Sequence, residues 1–343
     1  MSRIIPPSAY DDLEAAAVAP GQALLADLRR FLSRRSLSDH EVRYFVSIYL
    51  TVQRHRIALG NHAAASARAG LTSSTIEAYR DSVAAIEEAM VPMLGRWAKS
   101  TERGRWVSSI RGIGPIIAAG LTAYATINYC RDPHHLWAYA GLVPGSSQRF
   151  SRAFRRMAYY AGESFVRSGS YYRRLYEQRK AYEWRRNLSG GNADQALAAA
   201  ARAQSAGARA FLEGQVDPDR LVGLMVLGKP AIAANGNPSR AIIAVGGKGV
   251  PMLTPGHIDR RARRWTVKLL LSHFSQVAWE SAADTAREPW LPPRALREMN
   301  HHDYIAPPNW PMRRGWREEQ EEVPTLYPEL NLGPLVQVFR GAA

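Results

Sequence analysis

Residues 107–121 read Val-Ser-Ser-Ile-Arg-Gly-Ile-Gly-Pro-Ile-Ile-Ala-Ala-Gly-Leu, and this pattern predicts two helices joined by a tight hairpin. Glycine tolerates the positive φ angle that such a hairpin requires, and Gly112 and Gly114 bracket the single apolar residue Ile113. Pro115 suits the first position of the second helix, where a missing N–H costs nothing. The free amides at this helix start lie beside the positive end of the helix dipole, so the sequence predicts an anion-binding site there.

The composition is typical of a folded protein, since 46% of the 343 residues are hydrophobic and 22% are charged. The chain has no apolar run of the roughly 18 residues that a membrane span needs, and we expect no membrane contact. The N-terminal residues lack the apolar core of a signal peptide. Cys130 is the only cysteine, which excludes a disulfide framework and a thiolate zinc site. We therefore expect a protein of the reducing cytoplasm.

Positive charge is concentrated in one part of the chain. Residues 96–190 hold 17 Lys and Arg but only 5 Asp and Glu, and so account for +12 of the formal charge of +15. This concentration indicates a polyanionic partner. Only 5 of the 45 cationic residues are lysines, and arginine is the residue suited to bidentate contact with phosphate. GC-rich coding is an alternative source of the arginine excess, but it does not explain the clustering.

Helical periodicity dominates, and we expect a mainly α, multi-helical fold with a helix-hairpin-helix element and a small β-hairpin insertion. The β-hairpin is predicted from two short runs, Ala241–Val245 and Val250–Leu253, which flank the glycine turn Gly246–Gly249. Composition divides the chain into a leader at 1–38, an N-terminal helical region at 39–104, a basic helix-hairpin-helix region at 105–190, an Ala/Gly-rich insertion at 191–256, a basic amphipathic helix at 257–285 and a Pro-rich C-terminal tail at 286–343.

The hairpin fits the helix-hairpin-helix pattern of proteins that bind DNA without reading its sequence. The alternative is a plain turn between two helices of a core. The arginines around the turn favour DNA contact. We assign this contact to the turn and its flanking arginines, namely Arg103, Arg105, Arg111, Gly112, Ile113 and Gly114.

Two further helices carry basic faces. The helix predicted from Ser151 to Val166 places Phe150, Phe154, Met157 and Phe165 inside, and the helix that begins at His257 has an apolar stripe opposite its cations. Each basic face is either a phosphate-binding surface or simply a solvated one. The candidate DNA contacts are Arg149, Arg152, Arg155 and Arg156 in the first region, and Arg260, Arg261, Arg264 and Lys268 in the second.

Four motifs recur in a known order: Gly112-Ile-Gly-Pro115, Leu136-Trp-Ala-Tyr-Ala-Gly-Leu-Val-Pro144, Phe154-Arg-Arg-Met157 and Tyr171-Tyr-Arg-Arg-Leu-Tyr176. Over residues 105–185 the chain resembles the C-terminal domain of a family of insertion-sequence transposases. That family, which includes the Piv DNA invertases and the bridge-RNA-guided recombinases, pairs a DEDD, RuvC-like nuclease domain with a domain that carries a nucleophilic serine. The resemblance implies action on DNA in transposition or recombination.

The chain departs from this family in two ways. The first 100 residues show no strand ending in Asp. Their carboxylates are scattered, because Asp11, Asp12 and Glu14 lie in the leader and Glu87-Glu88 lie on an exposed helical face. We therefore find no metal site. The loop that bears the serine is short. Ser146 and Ser147 are the catalytic candidates, beside Ser151, with Arg149 and Arg152 available to stabilise charge. The alternative is that these serines cap the next helix.

The sequence thus predicts a transposase-like DNA-binding protein of a mobile genetic element, associated with the nucleoid and contacting backbone phosphates of duplex or branched DNA. Two alternatives stay open: an active serine recombinase or transposase, and a structural or packaging protein that binds DNA or RNA. We expect no cofactor, apart from Mg²⁺ if the protein is catalytic. We also expect a homo-oligomer.

Overall fold

The structure is a computed structural model, and it describes residues 26, 30, 37–70, 74–143, 149–217, 249–282, 289–293, 304–330, 332 and 336. The described residues divide into two compact units. The first contains the residues up to Ser108 together with Gly114–Thr126, and the second contains Ser109–Ile113 and the residues from Ile127 onward. No helix in the described ranges is long and apolar enough to cross a membrane.

Helices α1 and α2 of the first unit pack against each other and against α4. Ser38 starts α1 with a capping box, because its side chain accepts the N–H of Glu41 while the Glu41 carboxylate accepts the N–H of Ser38. Val46, Leu94 and Leu121, one residue from each of the three helices, are buried. The helices are α1 (Asp39–Arg68), α2 (Ser74–Ala98), α3 (Glu102–Ser109) and α4 (Pro115–Tyr124).

A buried carboxylate links α1 to α2. Glu87 accepts hydrogen bonds from Tyr49 Oη at 2.9 Å and from Arg56 Nε at 2.6 Å. Burial raises the pKa of Glu87, but the hydrogen bonds from Arg56 and Tyr49 outweigh it and leave that pKa below its usual value. The prediction that Glu87 and Glu88 both lie on an exposed helical face is therefore wrong for Glu87. Its carboxylate is bonded by Tyr49 and Arg56 of α1 where α1 meets α2. Glu88 is exposed.

The second unit is built around α10, the longest of its described helices, which packs against α5, α6 and α7. The α6 backbone approaches α10 closely at Gly162, where a Cβ atom would stand 2.7 Å from Val267 Cγ2. The apolar face of α6 (Phe154, Met157 and Phe165) is buried. The helices are α5 (Pro133–Tyr139), α6 (Arg152–Ser168), α7 (Tyr171–Leu188), α8 (Ala193–Ala200), α9 (Ala206–Leu212) and α10 (Pro255–Glu280), with 3-10 turns at Ile127–Tyr129 and Glu318–Gln320.

The residues after Tyr304 form no α-helix up to Leu330, yet they lie along α7 and α10. Ile305 and Leu326 are buried. The Gln178 side chain bonds the backbone at Pro324 and Leu326, and the rings of Tyr182 and Tyr327 stack with centroids 4.0 Å apart. Proline-rich sequence therefore forms an extended strap here, held by side chains of the helices.

The mainly α-helical class is confirmed, but the predicted β-hairpin is wrong. No residue in the described part of the chain belongs to a β-strand. Of the predicted hairpin, residues 241–248 lie outside the described residues. In its second run, Met252 N–H donates to the carbonyl of Phe211 and Leu253 bonds the Asn187 side chain in both directions. Its backbone groups are thus taken by the end of α9 and by α7, so no partner strand is needed.

Replacing Glu87 by Gln is expected to lower the free energy of unfolding by about 2 kcal/mol, because Arg56 and Tyr49 lose their charged acceptor inside the α1–α2 contact. Urea titration followed by circular dichroism measures this loss. Glu88→Gln is the matched control, since it removes the same charge from the next residue and should change stability by less than about 0.5 kcal/mol. Equal losses in the two variants would contradict the buried role of Glu87.

Acid sensitivity is expected from His273, which lies fully buried on α10. Its Nδ1 accepts from Tyr172 Oη at 2.8 Å and its Nε2 donates to the carbonyl of Ile305 at 2.9 Å. Burial lowers the pKa of His273 to about 3. Because the unfolded chain takes up this proton first, near pH 6.5, the contribution of His273 to stability is complete above that pH and is lost towards pH 3.

Lowering the pH from 7 to 5 should therefore cost the parent about 2 kcal/mol more than a His273→Gln variant, measured by urea titration at both pH values. All other titrating groups are common to the two proteins and cancel in this difference. The same pH dependence in both would show that His273 titrates near its ordinary pKa in the fold.

Candidate functional site

The hairpin between α3 and α4 has the predicted turn. Gly112 has a φ angle of +90°, and Ile113 N–H closes the turn by donating to the carbonyl of Ile110 at 3.0 Å. Gly114 is the N-cap residue in extended backbone, with a φ angle of −73°, and Pro115 takes the first helical position. The positive φ angle at Gly112 and the position of Pro115 are thus confirmed. Gly114, in contrast, adopts a backbone conformation that any residue can adopt.

The start of α4 offers backbone amides. The first intrahelical bond runs from Ala118 N–H to the carbonyl of Gly114, so the amides of Ile116 and Ile117 precede the helical ladder. No side chain caps the helix, and a Cβ atom on Gly114 would meet nothing within 4 Å. This open helix start suits the oxygen of an anion.

Gly112 is also fixed by packing within the second unit. Ser164 Oγ donates to the carbonyl of Gly112 at 2.5 Å, and a Cβ on Gly112 would stand 2.5 Å from Ser168 Oγ. Both serines lie on α6. The turn residue is therefore held directly against the basic helix α6.

The three arginines around the hairpin have different surroundings. Arg105 is exposed and donates to the carbonyl of Lys99 at 3.3 Å. Arg103 is half-buried and donates to the carbonyl of Thr122 at 3.4 Å. The guanidinium of Arg111 pairs with the Glu319 carboxylate. Of these three arginines, only Arg105 is both exposed and without a carboxylate partner among the described residues.

Acidic residues of the C-terminal strap lie on the hairpin, and the sequence patterns missed them. The backbone N–H of Arg111 donates to Glu318 Oε2 at 2.6 Å, and the N–H of Tyr171, at the start of α7, donates to Glu318 Oε1. Arg174 Nη2 donates to the main-chain carbonyl of Glu318 at 3.0 Å. The run Glu318-Glu-Gln-Glu-Glu322 in a strongly basic chain was the available signal.

The outer face of α6, together with Arg149 and Phe150 just before the helix, combines arginines with aromatic rings. Arg149, Arg152 and Arg156 are exposed, and in the described ranges no carboxylate pairs with them. Arg155 lies over the rings of Phe150 and Tyr159, at 5.1 and 5.4 Å from their centroids. Phe150 is 44% exposed, so its predicted place inside is wrong. Such a surface suits both phosphate contact and stacking on bases.

The basic stripe of α10 is divided by its neighbours. Arg260 and Arg264 are exposed. Arg261 instead donates to Glu183 Oε2 at 2.8 Å, and Lys268 Nζ lies 4.9 Å from the centre of the Trp137 ring. Burial lowers the pKa of Lys268, and the nearby charge of Arg264 lowers it further. Arg260 and Arg264 are therefore the stripe residues that best fit phosphate contact.

The catalytic candidates Ser146 and Ser147 lie outside the described residues. Ser151 is the N-cap of α6, where its Oγ accepts the N–H of Phe154 at 3.2 Å. Among the described residues, no three His, Cys, Asp or Glu side chains are grouped so that they could hold a metal ion. Asp11, Asp12 and Glu14 also lie outside the described residues.

Comparison with known protein families gives a match over part of the chain. Residues 104–168 match the model of the Transposase IS116/IS110/IS902 family. The matched residues run from α3 through the hairpin to the end of α6, and they cover a minority of the chain. No curated protein and no solved structure matches. The segment with the hairpin and the arginine face of α6 is therefore similar to this transposase family, as its motifs indicated.

Proposed function

We propose that this chain is a transposase-like protein of a mobile element that binds DNA through backbone phosphates. The observation that carries this proposal is the outer face of α6, where Arg149, Arg152 and Arg156 are exposed without carboxylate partners in the described ranges, beside the rings of Phe150 and Tyr159. This face lies within residues 104–168, the segment that matches the transposase family. Its side chains supply charge and stacking, and neither reads a base sequence.

Charge compensation elsewhere supports this choice of surface. Glu183 pairs with both Arg179 and Arg261, while Asp259 and Glu163 both pair with Arg263. Arginines in these pairs have little charge left for a ligand. Arg152, Arg156, Arg260 and Arg264 are instead exposed and have no carboxylate partner in the described ranges, so their charge is available to a polyanion.

Replacing Arg152 and Arg156 together by Gln is expected to weaken binding to a short fluorescein-labelled duplex about tenfold or more. The slope of log Kd against log salt should become shallower by about 0.9 for each phosphate that the variant no longer neutralises. Fluorescence anisotropy across a salt series measures both quantities. Duplex RNA of the same sequence, added as competitor, tests the nucleic acid, and preferential displacement by RNA would contradict a DNA partner.

The matched control is Arg80→Gln with Arg209→Gln, which removes the same charge from arginines outside α6 that already pair with Asp81 and Glu213. This control should bind almost as the parent does. If both double variants show the same decrease in affinity and in salt dependence, only net charge matters and the α6 face is not the interface.

The amides of α4 allow a second test at Gly114. Asp at this N-cap should accept the N–H groups of Ile116 or Ile117, because the site is open and the backbone is already extended. Gly114→Asp should therefore keep or raise the thermal midpoint of unfolding while weakening duplex binding about tenfold. Gly114→Ala, which carries no acceptor, should bind as the parent does. Equal affinities of the Asp and Ala variants would argue against phosphate at these amides.

A further inference from the structure

Glu318 is an unusual feature of the strap, because its carboxylate is buried and bridges two amides distant in sequence. Its exposed fraction is 7%. One oxygen accepts the N–H of Arg111 in the hairpin and the other accepts the N–H of Tyr171, the first residue of α7. Burial raises the pKa of Glu318, while the bonds from the Tyr171 and Arg111 amides act in the opposite direction.

Two guanidinium groups complete the surroundings of this carboxylate. Arg111 pairs with Glu319, and Arg174 donates to the main-chain carbonyl of Glu318. A cavity of about 210 Å³ adjoins them, lined by Arg111, Gly169, Arg174, Glu318 and Glu319. Two amides on one carboxylate, with two guanidinium groups lining the adjoining cavity, are donors of the kind that proteins use to hold a phosphate group.

The acidic residues compete with any ligand of Arg111. Glu318 accepts the amide of Arg111 and Glu319 pairs with its guanidinium, so a nucleic-acid phosphate that takes both groups has to displace the two carboxylates. The side chains of Arg111 and Glu319 are 49% and 56% exposed, and an ion pair this exposed opens at little cost.

We infer that Arg111, Tyr171 and Arg174 form a phosphate site that Glu318 and Glu319 occupy as an internal competitor, and that DNA binds there by displacing them. This inference rests on the proposed function, which it extends by a regulatory step. The strap keeps the affinity of the free protein for DNA low. A phosphate of bound DNA takes the place of the Glu318 carboxylate and releases Glu319 from Arg111.

The test compares two double variants with the same change of charge. Glu318→Ala with Glu319→Ala empties the site, whereas Glu322→Ala with Glu329→Ala removes two exposed carboxylates of the same strap. The first variant should bind a labelled duplex about tenfold tighter than the parent, with a salt slope steeper by about 0.9 for one additional neutralised phosphate. The second should bind no more than about twofold tighter. If the alanine variant folds poorly, Glu318→Gln with Glu319→Gln replaces it, because glutamine preserves the side-chain volume. This variant should also bind the labelled duplex more tightly than the control variant does.

Inorganic phosphate provides a readout that does not depend on DNA. At constant ionic strength, replacing chloride by phosphate should raise the thermal midpoint of the Glu318→Ala, Glu319→Ala protein but not that of the parent or of the control. Equal DNA affinities of the two double variants, with no stabilisation by phosphate, would overturn the inference while leaving the proposed function intact. If inorganic phosphate stabilises the Glu318→Ala, Glu319→Ala protein but neither the parent nor any variant binds DNA, the phosphate site is supported and the proposed function is overturned.

Discussion

Burial of α10 is the constraint on which the second unit depends. This helix contacts α5, α6 and α7, and its approach to α6 requires the absence of a side chain at Gly162. With Phe154, Met157 and Phe165 buried, helical spacing leaves the arginines of α6 on the solvent side. His273 then joins α10 to Tyr172 of α7 and to Ile305 of the strap, so the core that orients α6 also places the C-terminal residues.

Electrostatic compensation decides which of the many arginines are available to a ligand. The sequence concentrates positive charge in residues 96–190, but the fold pairs part of it with carboxylates, as at Arg111, Arg173 and Arg179. Buried pairs such as Arg179–Glu183 contribute to the core, where each charge needs its partner. Arg152 and Arg156 on α6 have no such partner in the described ranges, and therefore they carry the proposed interaction with DNA.

Features encoded by neighbouring residues were predictable. The positive φ at Gly112 and the place of Pro115 follow from local sterics, and the motifs around them indicated the transposase-like segment before the family match. Predictions that depended on distant partners were wrong. Glu87 was assigned to an exposed face because helical periodicity does not reveal that Arg56 and Tyr49 of another helix meet it. The second run of the predicted β-hairpin is instead tied to Phe211 and Asn187.

The sequence by itself determined the helical class, the hairpin turn, the arginine face of α6 and the chemistry that suits a polyanion, because each depends on residue types a few positions apart. Only the tertiary structure decided which arginines keep their charge exposed and what lies on the hairpin. Glu318 accepts the amide of Arg111 across 207 residues of sequence. No periodic pattern spans that distance, since the contact is produced by the packing of α7, α10 and the strap into one core.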